Sequence, residues 1–179
     1  MRIYTRKGDD GTTGLLFGGR VRKSSARPAA YGEVDEAQAA LGLARAECAP
    51  GSELDELLIR LERDLWIVMA ELATAPDNRH KLEPGTSLVT AEMVAALEPV
   101  IDDLTARFVP PTEFVVPGQN RTAALLDVAR TVVRRAERRC VDVVPDESHV
   151  VAYLNRLSDL LWTMARAQEE HSLLTRERT

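Results

Sequence analysis

The chain has 179 residues, of which 45% are hydrophobic and 28% charged, a balance that favours one folded domain and argues against intrinsic disorder. Aromatic residues make up only 4%, which favours helices over strands. The net charge of -5 argues against general nucleic-acid binding, because such binding needs an excess of basic groups to neutralise phosphates.

The cysteine content and the apolar runs indicate the compartment. Cys48 and Cys140 are the only two cysteines, and their spacing suggests neither a disulfide framework nor a zinc site. No apolar run approaches the length of a membrane span, and residues 1–4 do not begin a secretory signal. We therefore expect a cytoplasmic protein without membrane association.

Residues 1–27 form a segment rich in glycine and threonine, and we expect it to be a loop. Five of the ten glycines fall within the first nineteen residues. Glycines let backbone N–H groups approach an anion closely, and neighbouring threonine and basic side chains add donors and charge. Neither a P-loop nor a Rossmann fingerprint is present. Two interpretations stay open: a mobile terminus, or a phosphate-binding loop ordered by a ligand or a neighbouring subunit.

Three amphipathic helices are predicted next. The first begins near Pro28, and the second is capped by Ser52 and closed by Pro76. A polar loop at 76–89 precedes a third helix capped by Thr90, in which Pro99 predicts a kink or a late start. An extended connector at 110–118 follows, and its Phe114 would by default plug the core.

The fourth predicted helix carries five arginines and one glutamate within residues 129–140. Its apolar stripe recurs at spacings of three and four and consists of Leu125, Ala129, Val132, Ala136 and Cys140. Beside it runs a charged stripe of Arg130, Arg134, Glu137 and Arg138. Such a stripe is either a solvated basic face or a clamp for a polyanion such as a nucleotide phosphate chain.

The last predicted helix completes a bundle. Its buried stripe is Val150, Leu154, Leu157, Leu161 and Met164, and a polar-aromatic line of Asn155, Asp159, Trp162 and Arg166 lies on another face. Five helices with short loops predict an all-α antiparallel bundle. The Glu-x-x-His pairs of di-metal bundles do not occur, so we reject a di-iron site.

Blocks of sequence in a characteristic order resemble a known family. They are YTRKGDDGTT at 4–13, RPAAYGEVDE at 27–36, FVVPG at 114–118, RRAER at 134–138 and YLNRLSD at 153–159. In these blocks the chain resembles the PduO-type corrinoid (ATP:cob(I)alamin) adenosyltransferases over nearly its whole length. The resemblance implies a single domain spanning 1–179, a five-helix bundle with ferritin-like topology, and a homotrimer with active sites between subunits.

The resemblance also implies an activity. The 5′-deoxyadenosyl group of ATP would pass to the cobalt of reduced cobalamin, after reduction of cob(II)alamin, and tripolyphosphate would leave. Mg²⁺ is expected with the phosphates, held mainly by them. A reductase and an adenosylcobalamin-dependent mutase are the further partners implied. The alternatives are a non-catalytic sensor or carrier of ATP or adenosylcobalamin, and a helical scaffold whose arginines only join subunits.

Site residues follow from the resemblance by position. Arg134, Phe114, Asp35 and Arg130 form the implied catalytic group: Arg134 faces the nucleotide, Phe114 lies under the corrin ring, and Asp35 with Arg130 links neighbouring subunits beside the site. The implied nucleotide contacts are Thr5, Arg6, Lys7, Gly8, Thr13, Gly14, Lys23, Arg134, Arg135, Glu137, Arg138 and Asn155. Departures from the family pattern include Asp127, where a histidine is common, and Gln119–Asn120 after the glycine, and they concern the corrinoid side more than the ATP side.

Overall fold

Helices make up most of residues 3–176, the part of the chain that the computed structural model describes. The helices are α1 (Ala26–Arg45), α2 (Glu53–Leu72), α3 (Ala91–Ala95), α4 (Glu98–Thr105), α5 (Arg121–Cys140) and α6 (Val150–Ala167). Two short strands, β1 (Thr12–Gly14) and β2 (Arg20–Arg22), precede them, and a 3₁₀ helix covers Pro76–Lys81 within the predicted polar loop.

One core joins the helices. Helix α5 packs against both α1 and α6, α1 packs against α2, and α4 packs against α6. The predicted stripe of α6 is buried in full, and the predicted stripe of α5 is buried except for the partly exposed Leu125. Burial raises the pKa of the Cys140 thiol to about 12, which fits its predicted role as a small apolar residue. Among the described residues, no helix is both long and apolar enough to cross a bilayer.

The described chain has six α-helices where five were predicted, because the third predicted helix is broken. Helix α3 ends at Ala95 and α4 begins at Glu98, with Leu97 buried between them. Pro99 lies in the first turn of α4, where its missing N–H leaves no hydrogen bond unmade. The interruption that Pro99 predicted is confirmed.

Helix starts follow the predicted capping residues. The Ser52 hydroxyl accepts a hydrogen bond from the Asp55 N–H at 3.3 Å, and the Thr90 hydroxyl accepts one from Met93 at 3.3 Å. A third cap comes from Asn120, whose side-chain oxygen accepts from the Ala123 N–H at 2.8 Å. Asn120, one of the residues that departs from the family pattern, is therefore the N-cap of α5.

The N-terminal segment is a folded hairpin in part, which differs from the predicted loop. Strands β1 and β2 are antiparallel, with Thr12 opposite Arg22 and Gly14 opposite Arg20. The Leu16 N–H donates to the Ala73 carbonyl at 2.9 Å, which attaches the hairpin to the end of α2. Residues 1 and 2 of this segment, like 177–179 at the other end, lie outside the described residues.

A buried carboxylate joins three parts of the chain at the end of α2. The side chain of Glu71 is 0% exposed, and its oxygens accept from Arg79 at 2.8 Å, the Ser148 hydroxyl at 2.6 Å and the Val89 N–H at 2.8 Å. If the carboxylate were lost, the Val89 N–H and the Ser148 hydroxyl would lose their acceptor, and Arg79 would keep only the more distant Glu147. Glu71 therefore holds together segments that are far apart in sequence.

We expect Glu71→Gln to lower the free energy of unfolding by about 1–3 kcal/mol, because an amide cannot accept all three hydrogen bonds in this buried position. Thermal unfolding followed by circular dichroism measures the effect. Glu147→Gln is the matched control, since Glu147 is 71% exposed and lies 3.7 Å from the same Arg79. Equal melting temperatures for the two variants would contradict the role given to Glu71.

Candidate functional site

The N-terminal segment encloses a cleft of about 530 Å³. All seven residues of this segment that were predicted to contact a nucleotide line it: Thr5, Arg6, Lys7, Gly8, Thr13, Gly14 and Lys23. Tyr4, Asp9, Thr12 and Arg20 complete the lining. Four cationic side chains face one carboxylate there, so the cleft suits a polyanion.

Arg20 organises this cleft, and sequence reasoning did not assign it a role. Its guanidinium donates to the Lys7 carbonyl at 2.5 Å and to the Thr12 hydroxyl at 2.5 Å. Asp10 accepts from the N–H and the hydroxyl of Thr12, and the hydroxyl bond is the main reason that the pKa of Asp10 lies below its usual value. The pairing of Arg20 with Gly14 in the hairpin brings it to the cleft, and residue types alone do not reveal that register.

Gly8 allows close packing beneath the cleft. A Cβ atom at this position would lie 3.1 Å from the Lys23 ammonium nitrogen and 3.2 Å from the Thr12 carbonyl oxygen. Gly14, by contrast, has nothing within 4 Å of such an atom. Glycine at position 8 therefore lets Lys23 approach the backbone of the loop. At position 14, no contact within this chain requires a glycine.

On the predicted charged stripe of α5, two guanidinium groups are free of ion pairs with described residues. Arg134 and Arg138 are exposed, and neither forms an ion pair with any residue in the range 3–176. Between them, Glu137 accepts a hydrogen bond from the Asn155 side-chain amide at 3.0 Å, which joins α5 to α6. The structure thus brings four predicted nucleotide contacts together on one face of α5 and α6.

Arg135 differs from its neighbours because its charge is already paired. Its Nε donates to Glu33 at 2.5 Å, and a second ion pair joins it to Glu36, so α1 and α5 are held together. The hydrogen bond to Glu36 is the main reason that the pKa of Arg135 is raised. Contact between Arg135 and a nucleotide stays a prediction. For that contact to form, Glu33 and Glu36 must share the Arg135 guanidinium or release it.

A second cleft, of about 520 Å³, lies beside Phe114. Phe114 is 86% exposed, so its default interpretation as a core plug is wrong for this chain. The lining of this cleft combines the proline-containing connector with groups from α5 and α6: Pro111, Thr112, Glu113, Phe114, Val115, Pro117, Asp127, Arg130, Trp162 and Arg166. The cleft has an apolar rim and an ionic base.

The ionic base is a buried network that sequence reasoning missed. The Arg166 side chain is 1% exposed and donates to Asp127 at 2.6 Å and to Glu169 at 2.9 Å. Arg130 donates to the other oxygen of Asp127 at 3.0 Å. The guanidinium of Arg166 also lies 5.8 Å from the ring centre of Trp162. The predicted apolar stripe did not include Asp127, so the burial of this carboxylate, which requires a partner, is visible only in the structure.

Asp35 and Arg130 do not meet within the chain. Asp35 is exposed and has no ion-pair partner in the described range, and Arg130 is paired with Asp127 on its own helix. The prediction joins Asp35 and Arg130 across neighbouring subunits, and it stays a prediction. Among residues 3–176, no three His, Cys, Asp or Glu side chains are grouped so that they could hold a metal ion.

Comparison with known proteins gives consistent matches. A family model described as cobalamin adenosyltransferase matches residues 3–168. The corrinoid adenosyltransferase PduO of Citrobacter freundii is 41% identical over 172 residues, which are 94% of this chain and 50% of that protein. The corrinoid adenosyltransferase of Mycobacterium tuberculosis H37Rv is 43% identical over 170 residues, covering 92% of this chain and 87% of that protein. The chain therefore spans about half the length of the PduO relative and most of the mycobacterial one.

A solved structure with a similar fold belongs to the same group of proteins. It is a phenylalanine-to-alanine variant of the PduO-type ATP:corrinoid adenosyltransferase of Lactobacillus reuteri, complexed with cobalamin and ATP. The match has a TM-score of 0.86 and 30% sequence identity, and it covers 98% of this chain and 100% of that one.

Proposed function

The chain belongs to the cobalamin adenosyltransferase family, and from this premise we propose that it transfers the 5′-deoxyadenosyl group of ATP to the cobalt of reduced cobalamin. The observation that carries the proposal is the basic cleft lined by all seven predicted residues of the N-terminal segment. A triphosphate is the part of ATP that such a cleft would bind.

The reaction needs no nucleophilic side chain. Cob(I)alamin supplies the electron pair, the cobalt–carbon bond forms at C5′, and the bond from C5′ to the phosphate oxygen breaks. The leaving electron pair stays on tripolyphosphate, and cobalt ends as alkylated cobalt(III). Reduction of cob(II)alamin to cob(I)alamin requires one electron from a reductase or a chemical reductant. What remains for the protein is to align C5′ with cobalt and to stabilise the departing charge.

Arg134 and Arg138 have the properties that the second task requires. They lie on a twenty-residue helix, carry guanidinium groups whose fork geometry matches phosphate, and form no ion pair with described residues of their own chain. Glu137 and Asn155 hold the helix face between them in place. We assign Arg134 to the triphosphate as it leaves, with Arg138 and Asn155 as further nucleotide contacts.

A homotrimer would bring the two halves of the nucleotide site together. The lining of the N-terminal cleft includes no residue from α5 or α6. The free arginines of one subunit could therefore meet the N-terminal segment of the next. In the same arrangement, Asp35 of one subunit would pair with Arg130 of its neighbour, and Asp127 would share that arginine.

The cleft beside Phe114 is assigned to the corrinoid. An exposed aromatic ring at its rim would lie against the lower face of the corrin and keep the lower axial ligand away. Cobalt(II) would then be four-coordinate and easier to reduce, which is the step that limits access to cob(I)alamin. Beneath or beside the corrin ring would lie Asp127, Arg130 and Arg166, which could contact the amide side chains of the corrin.

Mg²⁺ is proposed to accompany the triphosphate. The described residues contain no carboxylate cluster that would hold it alone, so phosphate oxygens would supply most of its ligands. When bound, the ion would neutralise part of the phosphate charge. A reductase and an adenosylcobalamin-dependent mutase are proposed as partners that supply the electron and receive the product.

The direct test combines the purified protein with ATP, Mg²⁺ and chemically reduced cobalamin. We expect the absorption spectrum of adenosylcobalamin to appear together with tripolyphosphate in equal amounts. Release of ADP or orthophosphate would instead indicate a kinase or a hydrolase. Tight binding of adenosylcobalamin without its synthesis would indicate the non-catalytic carrier.

We expect Asp127→Asn to raise the KM for the corrinoid while the KM for ATP stays unchanged. The amide cannot neutralise Arg130 and Arg166 together, so both guanidinium groups would shift at the base of the corrinoid cleft, and stability would fall by about 1–3 kcal/mol. Steady-state kinetics with each substrate varied in turn measures the difference. Asp159→Asn is the control, because Asp159 is an exposed carboxylate of α6. A lower melting temperature with both KM values unchanged would limit Asp127 to a structural role.

A further inference from the structure

The connector between α4 and α5, residues 106–120, contains no helix or strand, yet two backbone hydrogen bonds hold its centre. The Thr175 N–H donates to the Phe114 carbonyl at 2.8 Å, and the Val116 N–H donates to the Leu173 carbonyl at 2.8 Å. Val115 and Leu174 form an antiparallel bridge between these bonds. The C-terminal segment, residues 172–176, therefore pairs with the backbone on both sides of Val115.

Few other contacts fix this part of the connector. Among the described residues, the backbone of 113–117 makes no further backbone hydrogen bond, and Pro110, Pro111 and Pro117 have no N–H to donate. At its end, the Asn120 side-chain amide donates to the Gln168 carbonyl at 2.6 Å, so the connector is attached to the region after α6 at a second point. Both attachments lead to the C-terminal end of the chain.

The Phe114 ring itself gains little from packing. Its side chain is largely exposed, so contacts with the core do not determine where it lies. The direction of its Cα–Cβ bond must then follow from the backbone, and the backbone is paired to residues 173 and 175. This C-terminal segment lies beyond residues 3–168, which the family model matches.

We infer that residues 172–176 are a positioning element for Phe114: their pairing with the connector holds the ring at the rim of the corrinoid cleft. The inference rests on the proposed function of that cleft. Residues 172–176 do not line the N-terminal nucleotide cleft, so the pairing affects the corrinoid half of the reaction and leaves ATP binding unchanged.

The substitution Thr175→Pro tests this inference, because proline removes the N–H that donates to Phe114. Thr175→Ala is the matched control, since it also loses the threonine hydroxyl but keeps the N–H. When the reaction starts from cob(II)alamin with a weak reductant, we expect a fall of about two- to tenfold in kcat for Thr175→Pro, the effect of losing one hydrogen bond that holds the Phe114 backbone. Thr175→Ala is expected to match the wild type, and the affinity for ATP is expected to be equal in all three proteins.

Two further measurements separate positioning from general stability. The fraction of four-coordinate cob(II)alamin formed with ATP, read from the absorption spectrum, should fall in Thr175→Pro at an unchanged melting temperature. Hydrogen exchange at the Val116 amide should become faster in the same variant. Fast exchange of Val116 in the wild type, or equal kcat and equal four-coordinate fraction in the proline and alanine variants, would overturn the inference.

A shortened chain that ends at Glu170 provides a second variant. It removes the whole pairing segment and should show a larger loss of four-coordinate cob(II)alamin than Thr175→Pro, again with ATP affinity retained. Full adenosylation from cob(II)alamin by this shortened chain, with the same weak reductant, would also overturn the inference. If the wild type itself forms no adenosylcobalamin, the proposed function fails, and the exchange rate of Val116 still reports whether the segment holds the connector.

Discussion

Replacing Arg134 with alanine is expected to lower the rate of adenosylcobalamin formation by about 10²- to 10³-fold, the usual cost of losing one charged or hydrogen-bonding group that faces a developing negative charge. In the transition state, charge accumulates on tripolyphosphate, and Arg134 offers an exposed, unpaired guanidinium on a rigid helix. The loss should appear mainly in kcat, because the N-terminal cleft still binds the nucleotide. Single-turnover kinetics with saturating ATP and cob(I)alamin measures it.

Arg139→Ala is the control for Arg134→Ala. Arg139 is an exposed arginine near the end of the same helix and forms no ion pair with described residues. It has no role in the proposed site. Its removal should leave kcat within about twofold, since Arg139 lies off the stripe that Arg134 and Arg138 share and an exposed charge is screened by salt. Sedimentation or size-exclusion analysis must accompany both variants. If Arg134→Ala kept full turnover but dissolved the oligomer, the scaffold hypothesis would replace the catalytic one.

Replacing Phe114 with alanine is expected to lower adenosylation by about 10- to 100-fold and to leave the affinity for ATP nearly intact. Without the ring, the lower axial position of cobalt stays accessible, cob(II)alamin stays five-coordinate, and its reduction is harder; a loss of this size is typical when a reacting group is mispositioned. The four-coordinate fraction of cob(II)alamin and the dissociation constant for ATP are the two quantities to compare.

Val109→Ala is the matched control for this second substitution. Val109 lies on the same connector and is 91% exposed, but it does not line the cleft beside Phe114. It should behave as the wild type in both measurements. Simultaneous loss of ATP binding and adenosylation in Phe114→Ala would mean that the ring supports the fold, and the corrinoid assignment of the cleft would fail.

The two substitutions divide the proposed reaction into its nucleotide and corrinoid halves. Arg134→Ala should slow alkylation even when cob(I)alamin is supplied chemically, because the leaving group is affected. Phe114→Ala should be rescued in part by a strong chemical reductant, because reduction of cob(II)alamin is the step that it hinders. If a strong reductant restored adenosylation equally in both variants, the two clefts would act in the same step of the reaction.

The helices were predictable because their signals are local. Apolar residues at spacings of three and four predicted the buried stripes of α5 and α6, and Ser52 and Thr90 predicted where helices begin. Pro99 predicted the interruption of the third helix for a reason contained in one residue, its missing N–H. The resemblance to a family indicated the site residues of the N-terminal segment, which line one cleft, but neither it nor the composition indicated the hairpin register.

The sequence by itself determined the helical bundle, the resemblance to a family and the groups able to bind phosphate. Only the tertiary structure decided which of those groups are free: Arg135 is paired with Glu33 across 102 positions of sequence, whereas Arg134 beside it is unpaired among the described residues. It also decided that Arg166 is buried against Asp127, and that the C-terminal segment pairs with the connector that carries Phe114. Such long-range ion pairs and backbone pairings depend on which surfaces meet after the helices pack, and no local pattern encodes that geometry.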